Sequence, residues 1–172
     1  MRYEHHRYQE KVCLVTGAAN GLGLNLTNRL LEEGAVVGAV DIEADTLERE
    51  FGGRRDKVLC VPCDVADKRQ VDEAVSKVIQ RFGRIDVLFN NAGIIGRQSL
   101  LDTTEAQWRR VIDVNLNGVF FVAQAVLRHM VERNIRGVVV NTSSVASAIV
   151  SPNTGAYSAS KGGVSMFTKF AA

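Results

Sequence analysis

The chain has 172 residues, 46% hydrophobic and 23% charged, with 21 basic against 19 acidic side chains. That balance excludes a disordered chain, which needs few apolar residues and a high net charge, and 2 prolines with 3 cysteines exclude collagen-like and disulfide-rich scaffolds. The length is that of one domain burying roughly 70% of its unfolded surface, and the close basic pairs Arg54-Arg55, Lys68-Arg69 and Arg109-Arg110 all have acidic neighbours, a pattern of solvated faces rather than of a nucleic-acid stripe.

Residues 1–10 form a polar start without the apolar run of a secretory signal. Residues 11–16 (KVCLVT) are a short β-rich run that stops at Gly17, and residues 22–33 follow as a helix with Leu22, Leu26 and Leu30 on one face. The alternation repeats with a strand over 35–40 and a helix over 44–51, then a strand over 58–63 and a helix over 67–82. Asp67 opens that helix with Gln70 three residues on, approximating a capping box, and Gly83 stands just past its end. A strand over 86–89, a long helical region from Thr104, a fifth strand over 138–141 and a last helix from near Ala156 complete the pattern. Cys60 and Cys63 make a C-x-x-C inside a strand-like run, not at a helix start, and read as reduced, partly buried thiols.

Strands that are continuous apolar runs are covered on both faces. The expected fold is therefore a doubly wound parallel α/β sheet, Rossmann-like, with residues 11–172 forming one domain. The longest uncharged stretch, 137–160, holds Asn141, Thr142, Ser143, Ser144 and Asn153 and is too polar to span a membrane. The expectation is a soluble, cytoplasmic protein with no nucleic-acid or membrane partner. His5, His6 and His129 lack ligand-type spacing with carboxylates or cysteines, so no metal site is expected.

Between the first strand and its helix stand Gly17, Gly21 and Gly23. A helix N-terminus offers free N–H groups and a partial positive charge, and a pyrophosphate approaches only where side chains are absent. Gly17 would serve the tight turn, Gly21 the close approach and Gly23 close helix-to-sheet packing, with Asn20 and Leu22 beside them. Asp41 ends the second strand about 20 residues past the loop, where an adenosine ribose would lie, with Ile42 next to it. A carboxylate there accepts both ribose hydroxyls and repels a 2′-phosphate, and neither Asn20 nor Ile42 supplies a cation, so NAD is expected over NADP. The competing reading makes Asp41 the N-cap of the next helix.

Near the end stand Ser144, Tyr157 and Lys161, the last two one helical turn apart and so on one face. A fixed ammonium beside a tyrosine favours the phenolate, which makes a plausible acid-base pair. Loop and pair together, in this order and on this strand count, resemble the short-chain dehydrogenase/reductase family. Thr16-Gly17 with Gly21 and Gly23 is similar to its cofactor loop, Asp64-Val65 to its adenine-contacting pair, and Asn90-Asn91-Ala92-Gly93 to its fourth-strand motif. Asn115 falls where the family places a helix-distorting catalytic asparagine, and Ser144 matches the family's serine better than Ser143 does.

The resemblance implies hydride transfer between a nicotinamide cofactor and a secondary alcohol or ketone. Tyr157 would be the general acid/base and Ser144 would stabilise the substrate oxygen. Lys161 would lower the tyrosine's pKa and hold the nicotinamide ribose, and Asn115 would support a water linking the lysine to solvent. It also implies a homo-oligomer, with the long helix and the last one at a subunit interface. Family members continue past the last helix with further strands and a substrate-covering segment. The chain is therefore expected to be C-terminally shortened, its fifth strand left as an exposed apolar edge and its Gly162-Gly163 pair packed closely against a neighbour. The competing functional reading is a dinucleotide-binding fragment or interaction module that does not turn over.

Overall fold

A computed structural model describes residues 7–172; His5, His6 and most of the polar start lie outside the described residues. Five parallel strands form one sheet in the order β3-β2-β1-β4-β5. They are β1 (Val12–Thr16), β2 (Val36–Asp41), β3 (Val58–Pro62), β4 (Val87–Asn90) and β5 (Val138–Asn141). The helices are α1 (Gly21–Glu32), α2 (Ala44–Phe51), α3 (Lys68–Phe82), α4 (Glu105–Ile112), α5 (Gly118–Glu132) and α6 (Gly155–Ala171). Every residue of the central strand β1 is buried. Its side chains alternate between two cores, Val12 and Leu14 joining Val78, Leu88 and Val126 on one face, Cys13 and Val15 joining Leu30, Leu47 and Phe51 on the other. That period of two, with apolar residues at every step, is why these runs needed helices on both sides.

Two helices, α3 and α4, are capped by residues of their own sequence. Asp67 accepts from the backbone N–H groups of Arg69 and Gln70 at the start of α3, and Gly83 closes that helix at φ +83°. Thr104 and Gln107 make a complete capping box on α4. Between α4 and α5 the helix widens into a π-turn over Asp113–Asn117, so the distortion expected at Asn115 is present in the backbone. The continuous helix Glu105–Glu132 is long and apolar enough to cross a membrane by length and composition alone, and its Val119, Val122 and Val126 are buried.

Two expectations are adjusted and one holds. Leu22 is 75% exposed while Leu30 is 2% exposed, because residues four apart drift by about 40° per step and α1 rolls its first turn away from the sheet. Of the Gly162-Gly163 pair only Gly163 packs tightly, a Cβ there falling 2.9 Å from Leu116, while Gly162 faces open space. The edge strand β5 does leave Val138 and Val140 exposed, at 55% and 42%.

Sheet order also fixes where a ligand can go. Chain direction away from β1 reverses between β2 on one side and β4 on the other, and the crevice at the C-terminal ends of such strands is the binding position of open α/β sheets.

Candidate active site

The turn after β1 is stitched to both neighbouring strands. Ala18 N–H donates to the Val40 carbonyl at 3.1 Å. The buried hydroxyl of Thr16 accepts from the N–H groups of Asn91 at 3.0 Å and Ala92 at 3.1 Å, and Asn91 Nδ2 donates back to the Thr16 carbonyl at 3.2 Å. Gly17 sits at φ +69° with a would-be Cβ 2.9 Å from the Ala92 backbone. Gly21, at φ +53°, opens α1 with nothing within 4 Å of a would-be Cβ. Gly23 packs on the loop rather than on the sheet: a Cβ there would lie 1.9 Å from the Gly17 carbonyl oxygen. Asn20 occupies the N-cap of α1 yet makes no side-chain cap, and no acidic residue stands in the first turn. The first N–H groups of α1 therefore face the open space at Gly21, an arrangement that suits an anion.

Asp41 accepts from Ala19 N–H at 2.9 Å and from Glu43 N–H at 3.1 Å. The N-cap of α2 is Glu43, not Asp41. Two backbone donors leave lone pairs on the Asp41 carboxylate, which has about four acceptor positions.

From Asp41 a cleft of about 600 Å³ runs past the glycine loop to α6. It is lined by Gly17, Asn20, Gly21, Leu22, Asp41, Ile42, Asp64, Val65, Asn91, Ala92, Gly93, Tyr157 and Lys161, all named from the sequence. Gly23 lies beneath it. Leu22, lost to the core, is one of its walls. Cys63 also lines it, its thiol pushed up to about 11 chiefly by burial and then by Asp64, so it is a neutral wall.

At the α6 end Lys161 is 3% exposed, its Nζ donating to the Thr142 carbonyl at 2.7 Å and lying 5.8 Å from the Tyr157 ring centroid. Burial lowers its pKa from the ordinary lysine value. Asn115 does not line the cleft. It is fully buried behind it, accepting from Ile94 N–H at 2.8 Å and donating to the Ile94 carbonyl at 2.9 Å and to Ser160 Oγ at 3.1 Å. It thereby ties the segment after β4 to α6, and a Cβ on the adjacent Gly93 would meet both Asn115 Oδ1, at 3.3 Å, and Lys161 Nζ, at 3.5 Å. Ser144 stands outside the lining too, its Oγ accepting from Ala146 N–H at 3.1 Å, which leaves its own proton to donate. Ser143 instead turns to α6, bonding the Lys161 carbonyl at 3.1 Å and Ser165 Oγ at 2.7 Å.

Besides Cys63, the cleft lining holds residues that sequence reading did not assign to it: Glu43, Thr142, Arg110, Val114 and the pair Ile94-Ile95. Glu43 had a signal, an acid two residues past Asp41. Arg110 had none. It pairs with Asp64 at 2.8 Å across 46 residues of sequence. Among the described residues no group of three or more His, Cys, Asp or Glu could hold a metal ion.

A glycine turn feeding an uncapped helix, an acid at the end of the second strand and a lysine-tyrosine pair at the far end of one cleft define a dinucleotide-type α/β fold with acid-base groups. A family model described as short chain dehydrogenase matches residues 11–172, and the chain belongs to that family. The 3-oxoacyl-acyl-carrier-protein reductase of Thermotoga maritima is 45% identical over 166 residues, covering 95% of this chain and 67% of that one. An NADP-dependent (R)-specific alcohol dehydrogenase of Lentilactobacillus kefiri is 35% identical over 169 residues, covering 96% of this chain and 67% of that one. The crystal structure of an NAD+-bound xylitol dehydrogenase superposes with a TM-score of 0.91 at 38% identity, covering 96% of this chain and 65% of that one. The chain thus spans about two thirds of the length of the relatives it matches.

Proposed function

We propose that this chain carries the cofactor-binding and acid-base residues of an NAD-dependent oxidoreductase that interconverts a secondary alcohol and a ketone. The observation that carries the reading is the single cleft joining Asp41 and the glycine turn to Tyr157 and Lys161. The residues present suit a dinucleotide: open space at Gly21 for the pyrophosphate, free lone pairs on Asp41 for a ribose, and a buried ammonium at the other end. When bound, NAD supplies or accepts the hydride.

The remaining chemistry falls to side chains. Tyr157 donates its phenolic proton to the carbonyl oxygen in reduction and takes the hydroxyl proton in oxidation. Lys161 stands beside it as a cation held by the Thr142 carbonyl, offering its remaining N–H groups to a ribose. Ser144 directs its proton to the substrate oxygen. Asn115 holds the lysine's surroundings in place through Ile94 and Ser160, and the π-turn it occupies is the expected location of a water linking Lys161 to solvent. The reading extends to a cytoplasmic homo-oligomer without nucleic-acid or membrane partners. Support for assembly comes from the apolar side chains that α5 and α6 expose, Phe120, Val131, Met166 and Phe170.

The test is Tyr157→Phe in a chain extended with the C-terminal third of a relative. Turnover should vanish while NAD affinity stays within threefold, since the change removes an acid/base group and little binding surface. Retention of more than about a tenth of the rate, a barrier change below roughly 1.4 kcal/mol, would refute the role given to Tyr157. Cofactor binding without turnover in that extended chain would favour the competing reading, a dinucleotide-binding module.

A further inference from the structure

Asparagine is among the strongest helix N-cap residues, because its side-chain oxygen satisfies the free N–H groups of the first turn. Asn20 holds that position on α1 and does not cap. Its amide is drawn the other way, Nδ2 donating to Glu43 Oε2 at 3.1 Å, and the same carboxylate accepts from Thr46 Oγ1 at 3.0 Å, which anchors it to α2. Glu43 is thus fixed at the Asp41 end of the cleft, facing the loop after β1. Among the described residues, the cations on the cleft lining lie elsewhere: Arg110 is paired with Asp64 and Lys161 with the Thr142 carbonyl.

We propose that Glu43 is a second cofactor-selecting residue, acting in two separable ways. Its charge joins that of Asp41 to make the ribose end of the cleft doubly anionic, so a dinucleotide with a free 2′-hydroxyl is accepted and one with a 2′-phosphate is rejected. Its hydrogen bond holds the Asn20 side chain away from α1, leaving the first-turn N–H groups open to a pyrophosphate. The inference rests on the reading of the cleft as a dinucleotide site. For a dianion roughly 6 Å from a carboxylate in water-like surroundings, the charge effect is about threefold to tenfold in affinity, the lower figure at physiological salt. The cap that Asn20 would form in competition is worth about fivefold.

Two variants separate the two effects. Glu43→Gln removes the charge and keeps an oxygen able to accept from Asn20; Glu43→Ala removes both. The probes are ADP-ribose and 2′-phospho-ADP-ribose, titrated calorimetrically into the wild-type chain, each variant, and Asp41→Asn. Glu43→Gln should raise affinity for the 2′-phosphorylated probe threefold to tenfold, leave ADP-ribose within twofold, and lose most of that gain in 0.5 M salt. Glu43→Ala should in addition weaken ADP-ribose about threefold to fivefold. If Glu43→Gln leaves the ratio of the two affinities within twofold of wild type, or shifts both probes equally, the inference is overturned while the dinucleotide reading stands. If the folded wild-type chain binds neither probe, the dinucleotide reading falls and the inference falls with it.

Discussion

Gly23→Ala should destabilise this protein even though alanine is the better helix former. The substitution adds one methyl group to the first turn of α1, where it would lie 1.9 Å from the Gly17 carbonyl oxygen, 2.7 Å from the Gly17 carbonyl carbon and 2.8 Å from Asn91 Nδ2. The first distance is about 1.5 Å inside ordinary contact. A flexible side chain could yield that much at small cost. The Gly17 backbone cannot, because Gly17 is held at φ +69° against Ala92, with Thr16 bonded to Asn91 just past β4 and Ala18 bonded to β2. Helix propensity favours alanine by about 1 kcal/mol. Overpacking against a fixed neighbour costs up to about 3 kcal/mol, leaving a net loss of roughly 2 kcal/mol, or about 4–8 °C in Tm for a domain of this size. Moving the turn also displaces the N–H groups at Gly21, so affinity for ADP-ribose should fall by more than tenfold. Gly162→Ala is the matched control, a helical glycine in open space, and should raise stability by about 0.5–1 kcal/mol. Thermal melts by circular dichroism on the two variants decide the matter. A Gly23→Ala melt within 1 °C of wild type, or a Gly162→Ala melt below that of Gly23→Ala, would refute the reasoning.

Asn115→Ala should cost about 2–3 kcal/mol in denaturant unfolding, since it leaves the N–H and carbonyl of Ile94 without their partner. His129 is buried, with Nε2 unpartnered and a pKa lowered first by burial and then by Arg133. The unfolded chain therefore binds the proton first, and stability should decline as pH falls below about 6.5, by at most about 1.4 kcal/mol per pH unit. His129→Leu should flatten that part of the stability-pH curve measured by denaturant titration. The exposed edge of β5 should make the 172-residue chain self-associate. Val138→Lys with Val140→Lys should shift its size-exclusion profile toward monomer at equal concentration.

Much of the fold was legible because its determinants are local. Apolar runs of four to six residues, each stopped by a polar or glycine residue and followed by a helix-period segment, marked all five strands, and the observed bounds differ by one residue at most ends. The cap residues Asp67 and Thr104 were visible for the same reason, since a cap and its partner lie within one turn. Leu22 was misplaced because spacing by four gives a face only approximately, and which part of that face meets the sheet is settled by how the helix rolls on it.

The site divides along the same line. By itself the sequence determined the glycine turn, the acid at the end of β2 and the tyrosine and lysine one turn apart, all of which depend on residues close in the chain, whereas the helix distortion at Asn115 was expected only from the family resemblance. Only the tertiary structure decided that β4 lies beside β1, which brings Asn91 to Thr16 across 75 residues and places both ends of the cleft on one crevice. It alone brought Arg110 to Asp64 and Lys161 to the Thr142 carbonyl, buried Asn115 behind the cleft instead of in it, and turned Asn20 from its own helix toward Glu43. The physical reason is that periodicity and spacing encode which face a residue occupies, whereas the partner across that face is chosen by the order in which strands assemble and helices pack.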